Sequence, residues 1–150
     1  MKYRKAIFIV TYTKTKKGYE FLILKRKLHW RGWEFPKGGL NYFETKKKAV
    51  RRELKEETGL KPIKMKKFDF SGKYEYGKTL SDRPMYEGQT FHLFATEVKK
   101  PAKGRIRIDT KEHSDYEWVS LKKAIKKVKW ENQKNSLKII GNWLKKKPKN

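Results

Sequence analysis

Three glutamates lie close together in a sequence that contains few acidic residues. The chain has 16 Asp and Glu against 41 Lys and Arg, yet Glu53, Glu56 and Glu57 fall within one short stretch. In a helix this i, i+3, i+4 spacing places all three on one face, where like charges repel each other. Carboxylate oxygens suit Mg²⁺ or Mn²⁺. A solvent-exposed face paired with the neighbouring lysine and arginines explains the cluster equally well, so the spacing alone leaves both interpretations open.

A glycine-rich segment precedes these glutamates. Gly38 and Gly39 allow the backbone to approach an anionic ligand closely, and Lys37 offers a positive charge beside them. A glycine-rich loop followed by an acidic helix is the arrangement that metal-assisted attack on a diphosphate requires. The two segments together predict hydrolysis of a polyphosphate.

Local patterns predict the elements that position these residues. Helix formers over 44–58, ended by Gly59, predict the helix that carries the glutamates, and the preceding residues 30–39 have the composition of a loop. The other expected elements are a hairpin of strands 5–12 and 20–25 turning at Gly18, strands near 66–76, 88–98, 104–108 and 116–119, and helices from Ser120 to about 129 and over 132–145.

Composition limits the class of protein. The 150 residues are enough for one folded domain, and 36% hydrophobic residues are too many for a disordered polycation. The absence of cysteine excludes a disulfide scaffold, and the sequence lacks an apolar run long enough to span a membrane. We therefore expect a single domain over 1–150 with a basic tail at about 145–150, located in the cytoplasm, without a membrane and without an obligate protein partner.

Residues 38–60 match a known motif. Gly38, then Glu44, then Arg52-Glu53-Leu54-Lys55-Glu56-Glu57-Thr58-Gly59-Leu60 resembles the Nudix box at all of its defining positions. The resemblance implies an α/β fold, an α/β/α sandwich with a mixed β-sheet, in which the box forms a loop, a helix and a second loop. It also implies hydrolysis of a phosphoanhydride bond in a nucleoside diphosphate derivative, with Mg²⁺ as cofactor and Mn²⁺ as a substitute.

The resemblance also implies roles for individual residues. The expected roles are Glu53 and Glu57 as principal metal ligands, Glu56 as a further ligand or base, Arg52 as the partner that orients Glu44, and the Gly38 carbonyl as an added ligand. Asn41 and Phe43 stand where Nudix proteins often have Glu and Gly. We expect Phe43 to alter the turn before Glu44.

Two stretches outside the box suggest a substrate. Residues 33–38 and 111–121 are similar to the diadenosine tetraphosphate hydrolase branch, so dinucleoside polyphosphates are the first expected substrates. The Pro-Lys-Gly-Gly approach is also similar to that of bacterial RNA 5′-pyrophosphohydrolases, and the net charge of +25 favours RNA as a partner. A catalytically silent Nudix module that binds RNA or a nucleotide is the third alternative.

Several further residues are candidates for the site. Glu112 is interpreted either as a fourth carboxylate or general base over the metal site, or as a surface acid. His113 is interpreted as structural or substrate-contacting, and Lys37 as a phosphate contact. Aromatic residues that either stack on a nucleobase or pack in the core are Trp33, Tyr74, Tyr76, Tyr86 and Phe91.

Overall fold

The computed structural model describes residues 2–102 and 105–147. Within these ranges the chain forms strands and helices in the following order: β1 (Lys2–Thr15), β2 (Gly18–Arg26), β3 (Gly32–Glu34), β4 (Lys37–Gly39), α1 (Lys46–Thr58), β5 (Lys64–Glu75), β6 (Tyr86–Glu97), β7 (His113–Val119), α2 (Leu121–Lys127) and α3 (Glu131–Lys146).

The strands form one mixed sheet around β1. β1 runs parallel to β6, whereas every other strand pair is antiparallel. β1 and β2 pair only at their hairpin end, where residues 12–15 face residues 18–21. Further along, β1 pairs with β4, and β2 pairs with β3 and β7. This arrangement brings β4 directly beside the central strand.

Alternating residues of β1 enter two separate cores. Ile7 and Ile9 pack with the apolar face of α1, while Phe8 and Val10 pack with α2 and α3 on the opposite face of the sheet. Because successive side chains of a strand point to opposite faces, the β1 sequence supports both layers at once. The structure therefore confirms the predicted α/β/α sandwich.

Helix α1 matches its prediction closely. Thr45 caps its first turn by accepting a hydrogen bond from the Lys48 N–H, and Gly59 ends it in the left-handed region at φ 77°. The predicted hairpin, the strands β5 and β6 and the two C-terminal helices are also present, with ends shifted by a few residues. Ser120 caps α2 as expected.

Two local predictions are wrong. The expected loop over 30–39 contains β3 and β4, whose few residues are too short to give a strand pattern. Residues 105–108 of the expected strand 104–108 do not pair with the sheet, and residue 104 lies outside the described residues. Ile106 and Ile108 instead pack on the α1 core, and the Arg107 N–H between them donates to the Thr58 carbonyl. The alternation of apolar and polar residues over 105–108 therefore reflects packing against α1. Helix α3 continues through Lys146 into the expected tail, and 148–150 lie outside the described residues.

Candidate active site

Strand β4 brings two glycines against charged side chains. A methyl group on Gly38 would overlap the Glu53 carboxylate, and one on Gly39 would overlap the Arg4 guanidinium. Because glycine alone lacks a Cβ atom, the backbone approaches both groups closely. The groups approached are protein side chains, and they include one of the predicted metal ligands.

The three glutamates of α1 differ strongly in exposure. Glu57 is 2% exposed; its Oε1 accepts a hydrogen bond of 3.1 Å from the Lys37 N–H, while its buried Oε2 has no hydrogen-bond partner in the described part of the chain. Glu53 is mostly buried, whereas the Glu56 side chain is 55% exposed. The shared face therefore runs from the protein interior out to solvent.

Burial disfavours the negative charge on the buried members of this face. Burial raises the pKa of Glu53. Burial also raises the pKa of Glu57 well above its usual value, and the nearby carboxylates of Glu112, Glu34 and Glu53 raise it further. A divalent cation would relieve both effects, and the unpartnered Oε2 offers it an oxygen ligand. The residues present fit a divalent metal ion.

Arg52 connects the box to the glycine strand. Its guanidinium donates to both carboxylate oxygens of Glu44, at 2.7 and 2.8 Å, and to the Gly39 carbonyl at 2.7 Å. It also donates to Glu53 at 2.8 Å and to Glu56 at 3.3 Å. The expected contact between Arg52 and Glu44 is present, and the same side chain fixes two of the box carboxylates.

A tight turn precedes Glu44. Phe43 has a φ of 63°, which is the left-handed conformation that glycine adopts most easily. The Glu44 N–H donates to the Asn41 carbonyl at 3.1 Å, and the Asn41 N–H donates to the Glu44 carboxylate at 3.0 Å. Phe43 therefore adopts a conformation suited to glycine.

Glu112 approaches the box glutamates from the opposite side of the site. Its carbonyl accepts the Lys27 N–H at 2.9 Å, and its own N–H donates to the Asp109 carbonyl at 3.1 Å, so both backbone groups are fixed. Potential ligand atoms of Glu57, Glu112 and His113 all lie within 4.8 Å of one another. Glu112 thus lies over the site, as one of its two interpretations required.

A buried ion cluster lies behind these carboxylates. Glu34 Oε2 accepts hydrogen bonds from Arg26 Nη1 at 3.0 Å and from His113 Nε2 at 2.8 Å, and Lys37 Nζ lies 3.9 Å from Glu34 Oε1. Burial alone would raise the pKa of Glu34, but Lys37, the His113 hydrogen bond and Arg26 together lower it to about 2. The cluster supports Lys37 and β7 from within the protein.

A cavity of about 260 Å³ opens between these groups. Carboxylates from α1 and the turn before β7 line one part of it, and arginines and Lys37 line another. Its lining consists of Arg4, Arg26, Trp30, Lys37, Asn41, Arg52, Glu53, Glu56, Glu57, Arg83, Asp109 and Glu112. A site with both signs of charge can hold a polyphosphate together with its counter-cations.

Gln89 organises the cationic part of this cavity. Its buried side-chain oxygen accepts hydrogen bonds from Arg83 Nη1 at 2.9 Å and Arg4 Nη1 at 3.3 Å. The same oxygen accepts the Tyr76 O–H at 2.9 Å, while the Gln89 amide nitrogen donates to the Tyr74 hydroxyl at 2.7 Å. One amide therefore links the two arginines to two of the predicted aromatic residues.

A second, mostly apolar cavity of about 340 Å³ adjoins the first. Trp30 and Lys37 line both cavities, and Tyr74 and Tyr76 line the second. The Trp30 ring lies 5.8 Å from the ring of Tyr76 and 6.1 Å from the ring of Trp130, between centroids. Aromatic walls of this kind suit a nucleobase.

Four other candidates do not line these cavities: Trp33, Tyr86, Phe91 and His113. Phe91 is 3% exposed and stacks on Phe8 with ring centroids 4.1 Å apart, so it belongs to the core. Trp33 packs against the α2 side of the core with Lys127 Nζ 4.5 Å from its ring centroid. His113 is completely buried and hydrogen-bonded to Glu34, which fits the structural one of its two interpretations.

Five other residues of the site were missing from the sequence prediction: Arg4, Arg26, Glu34, Arg83 and Gln89. Arg26, Glu34 and Gln89 are buried polar residues on strands. A charged residue at an inward position of a strand was the available signal, because such a side chain needs a buried partner. Arg83 lies in the connection between β5 and β6, where no regular pattern marks it.

Comparison with known families identifies the chain. The family model described as the NUDIX domain matches residues 2–139. The chain belongs to the Nudix family. This Nudix hydrolase acts on a pyrophosphate bond, as the box implied, and Nudix hydrolases generally use divalent metal ions, which the carboxylate cluster fits. Within the described residues, none of the helices is both long and apolar enough to cross a membrane.

Named relatives and solved structures agree with this assignment. An RNA pyrophosphohydrolase of Nitratiruptor is 36% identical over 118 residues, which cover 76% of this chain and 75% of the relative. One of Campylobacter jejuni is 30% identical over 110 residues, covering 72% and 70%.

The structural neighbours are more distant in sequence. A C. elegans Ap4A hydrolase has a TM-score of 0.71 at 23% identity, covering 95% of this chain and 98% of that one. An E. coli dihydroneopterin triphosphate pyrophosphohydrolase has a TM-score of 0.70 at 21% identity, covering 93% and 97%. At these identities the neighbours show the fold alone.

Proposed function

We propose that this Nudix hydrolase removes pyrophosphate from the 5′ ends of RNA. Water would cleave a phosphoanhydride bond of a 5′-triphosphate end, giving 5′-monophosphate RNA and pyrophosphate. The observation that carries this proposal is the 36% identity to a relative named RNA pyrophosphohydrolase over about three quarters of both chains. It favours the RNA alternative over the dinucleoside polyphosphates that the sequence put first.

The cationic part of the cavity is assigned to the substrate phosphates. Burial lowers the pKa of Arg4, and the positive charge of Arg83 lowers it further. Two guanidinium groups held side by side by Gln89 favour an anion that can accept from both. Lys37, in the strand that approaches α1, would add a third positive charge.

The carboxylate part is assigned to the metal. Glu53 and Glu57 would be the principal ligands, with Glu56, Glu112 and the Gly38 carbonyl as further ones. Oxygen ligands favour Mg²⁺, with Mn²⁺ as a substitute. When bound, the metal neutralises charge on the phosphate oxygens and makes water a better nucleophile.

Glu112 is the better candidate for the base that takes the proton from water. The Glu56 carboxylate accepts a hydrogen bond from Arg52 at 3.3 Å, so one of its oxygens is already engaged. Glu112 faces the buried Glu57 from a backbone fixed at both its N–H and its carbonyl. Both lie at the same cavity, so either can reach a water bound there.

A comparison of substrates tests the proposal. Triphosphorylated RNA, diadenosine tetraphosphate, ADP-ribose and a nucleoside triphosphate are incubated with the protein and Mg²⁺ at physiological salt, and products are resolved by chromatography. We expect the highest kcat/KM for RNA, with pyrophosphate released. Glu57→Gln should abolish turnover while its circular dichroism spectrum stays unchanged. Near-normal turnover in that variant would show that the metal assignment is wrong.

Dinucleoside polyphosphates are the second candidate substrates. The aromatic cavity that shares Trp30 and Lys37 with the phosphate site favours them, because it offers a place for a nucleobase beside the phosphate chain. A higher kcat/KM for diadenosine tetraphosphate than for RNA would decide for this candidate. The absence of product from every substrate, with Mg²⁺ and with Mn²⁺, would favour a silent binding module instead.

A further inference from the structure

Two aromatic side chains project from the turn between β4 and α1. Tyr42 is 88% exposed and Phe43 is 95% exposed, more than any other large hydrophobic side chain in the described part of the chain. Their rings contact each other edge to face with centroids 4.3 Å apart. The pair buries almost nothing against the protein itself, so its apolar surface is available to a partner.

The turn holds this pair in a strained and fixed position. The left-handed backbone conformation of Phe43, with φ 63°, is strained for a bulky residue. Burial does not offset this strain, because the ring is exposed. Glu44 closes the turn onto Asn41, and Arg52 holds Glu44 from α1. The aromatic pair is therefore fixed relative to the catalytic helix.

A cluster of lysines lies beside the same turn. Lys46 is the first residue of α1, directly after the turn and its capping residue Thr45. Burial lowers the pKa of Lys46, and the positive charges of Lys67 and Lys5 lower it further. Leu40, just before the turn, donates its N–H to the Lys5 carbonyl at 2.9 Å. Within the residues described, none of these three lysines forms a salt bridge with a carboxylate.

We propose that Tyr42 and Phe43, together with Lys5, Lys46 and Lys67, form a binding track for single-stranded RNA outside the catalytic cavity. Asn41 lines that cavity and is joined directly to Tyr42, so a chain whose 5′ end lies in the cavity passes the turn as it leaves. Bases stack on the aromatic pair, and backbone phosphates lie against the lysines. The track rests on the proposed function and gives it a means of selecting long substrates.

Direct binding tests the aromatic part of the track. The probe is a fluorescent single-stranded RNA of about ten nucleotides. Its 5′ end is a hydroxyl, so it has no phosphoanhydride bond for the enzyme to cleave. Tyr42→Ala combined with Phe43→Gly should weaken its affinity about tenfold or more, because base stacking on each ring is lost. Ile63→Ala, which removes another exposed apolar side chain, is the control and should bind as the wild type does.

Salt dependence tests the lysine part of the track. Replacing Lys5, Lys46 and Lys67 by alanine should reduce the slope of log affinity against log salt by about two, since three phosphate contacts are lost. The control replaces the exposed Lys122, Lys126 and Lys138 of α2 and α3, on the other face of the sheet, and removes the same charge. Equal slopes in the two triple variants would overturn the lysine assignment.

The outcomes separate the track from the proposed function. If the wild type releases pyrophosphate from RNA but binds the oligonucleotide no more tightly than the aromatic variant, the track is overturned and the proposed function stands. Track-dependent binding without pyrophosphate release overturns the function and leaves the track. Phe43→Gly alone relieves the backbone strain and removes no packed side chain, so we expect its thermal midpoint to be no lower than that of the wild type. Weaker RNA binding by a variant of this stability supports the track, because a folding defect does not explain it.

Discussion

Glu34 holds a negative charge inside the protein, beneath the catalytic cavity. Arg26, His113 and Lys37 surround it, and their positive charge and hydrogen bonds lower its pKa to about 2 despite the burial. The group therefore stays ionised in the folded state at pH values where the unfolded chain begins to take up protons. A buried carboxylate of this kind contributes to stability, and its contribution depends on pH.

Glu34→Gln should lower the free energy of unfolding by about 3 kcal/mol at neutral pH. The pKa of Glu34 is lower in the folded state, so the contribution is fully present above about pH 4.5 and disappears as the pH falls towards 2. The difference between wild type and variant should therefore shrink over this window. Urea unfolding at a series of pH values, with EDTA present, measures it. A constant difference across the window would contradict the expected ionisation.

Glu112→Gln and Glu56→Gln should separate the two candidate bases. Loss of the base should lower kcat by about two to four orders of magnitude. We expect this loss for Glu112→Gln and a smaller one for Glu56→Gln. The reverse pattern would assign the base to Glu56. Mn²⁺ affinity, measured for both variants, shows whether either loss arises from weaker metal binding.

At the scale of elements, the site depends on the contact between β4 and α1. The glutamates of α1 could be placed from the sequence, because spacing within one helix fixes their relative positions. Strand β4 could not be predicted from the sequence, since its three residues carry no pattern of their own and form a strand only by pairing with β1. The backbone of Gly38 meets Glu53 as a result of that pairing.

Gly38→Ala should weaken divalent metal binding about tenfold or more. The added methyl group overlaps the Glu53 carboxylate, so the strand or the side chain must move. Gly77→Ala is the control: its φ of 75° makes alanine costly for stability, but the space around it is open and it lies outside the cavity lining. Mn²⁺ titration of both variants gives the affinities. Wild-type affinity in Gly38→Ala would contradict the steric argument.

The cationic part of the site shows where sequence reasoning fails. Arg4 and Gln89 are direct neighbours across the parallel pair of β1 and β6. Nothing local to either residue indicates the other, because their proximity depends on a register between distant strands. The box is one continuous segment and was recognisable, whereas the phosphate contacts come together only when the sheet forms.

On the scale of the whole molecule, the net charge of +25 and the acidic site have different roles. The cavity lining mixes both signs, while most lysines lie on the surface. A field of this kind attracts polyanions over several ångströms and is screened by salt. The positive field should therefore affect the rate at which a long substrate is captured more than the rate of bond cleavage.

Raising the salt concentration should reduce kcat/KM for triphosphorylated RNA more than for diadenosine tetraphosphate. The RNA releases more counterions when it binds, so its affinity falls more steeply between about 50 and 200 mM salt. Initial rates at subsaturating substrate give both slopes on the same protein. Equal slopes would show that the surface lysines do not contact the RNA chain and that their positive charge is general composition.

The parallel pairing of β1 with β6 also affects how the protein is made. β1 is the central strand and is synthesised before its parallel partner, which follows 85 residues later. Contacts between such distant segments form slowly, and until β6 is made β1 can pair only with β2 and the three-residue β4, a small sheet that is marginally stable alone. Its apolar residues 6–10 are exposed to aggregation on the ribosome during this interval. Lys2, Arg4 and Lys5 flank them, and charged residues beside an apolar strand oppose aggregation.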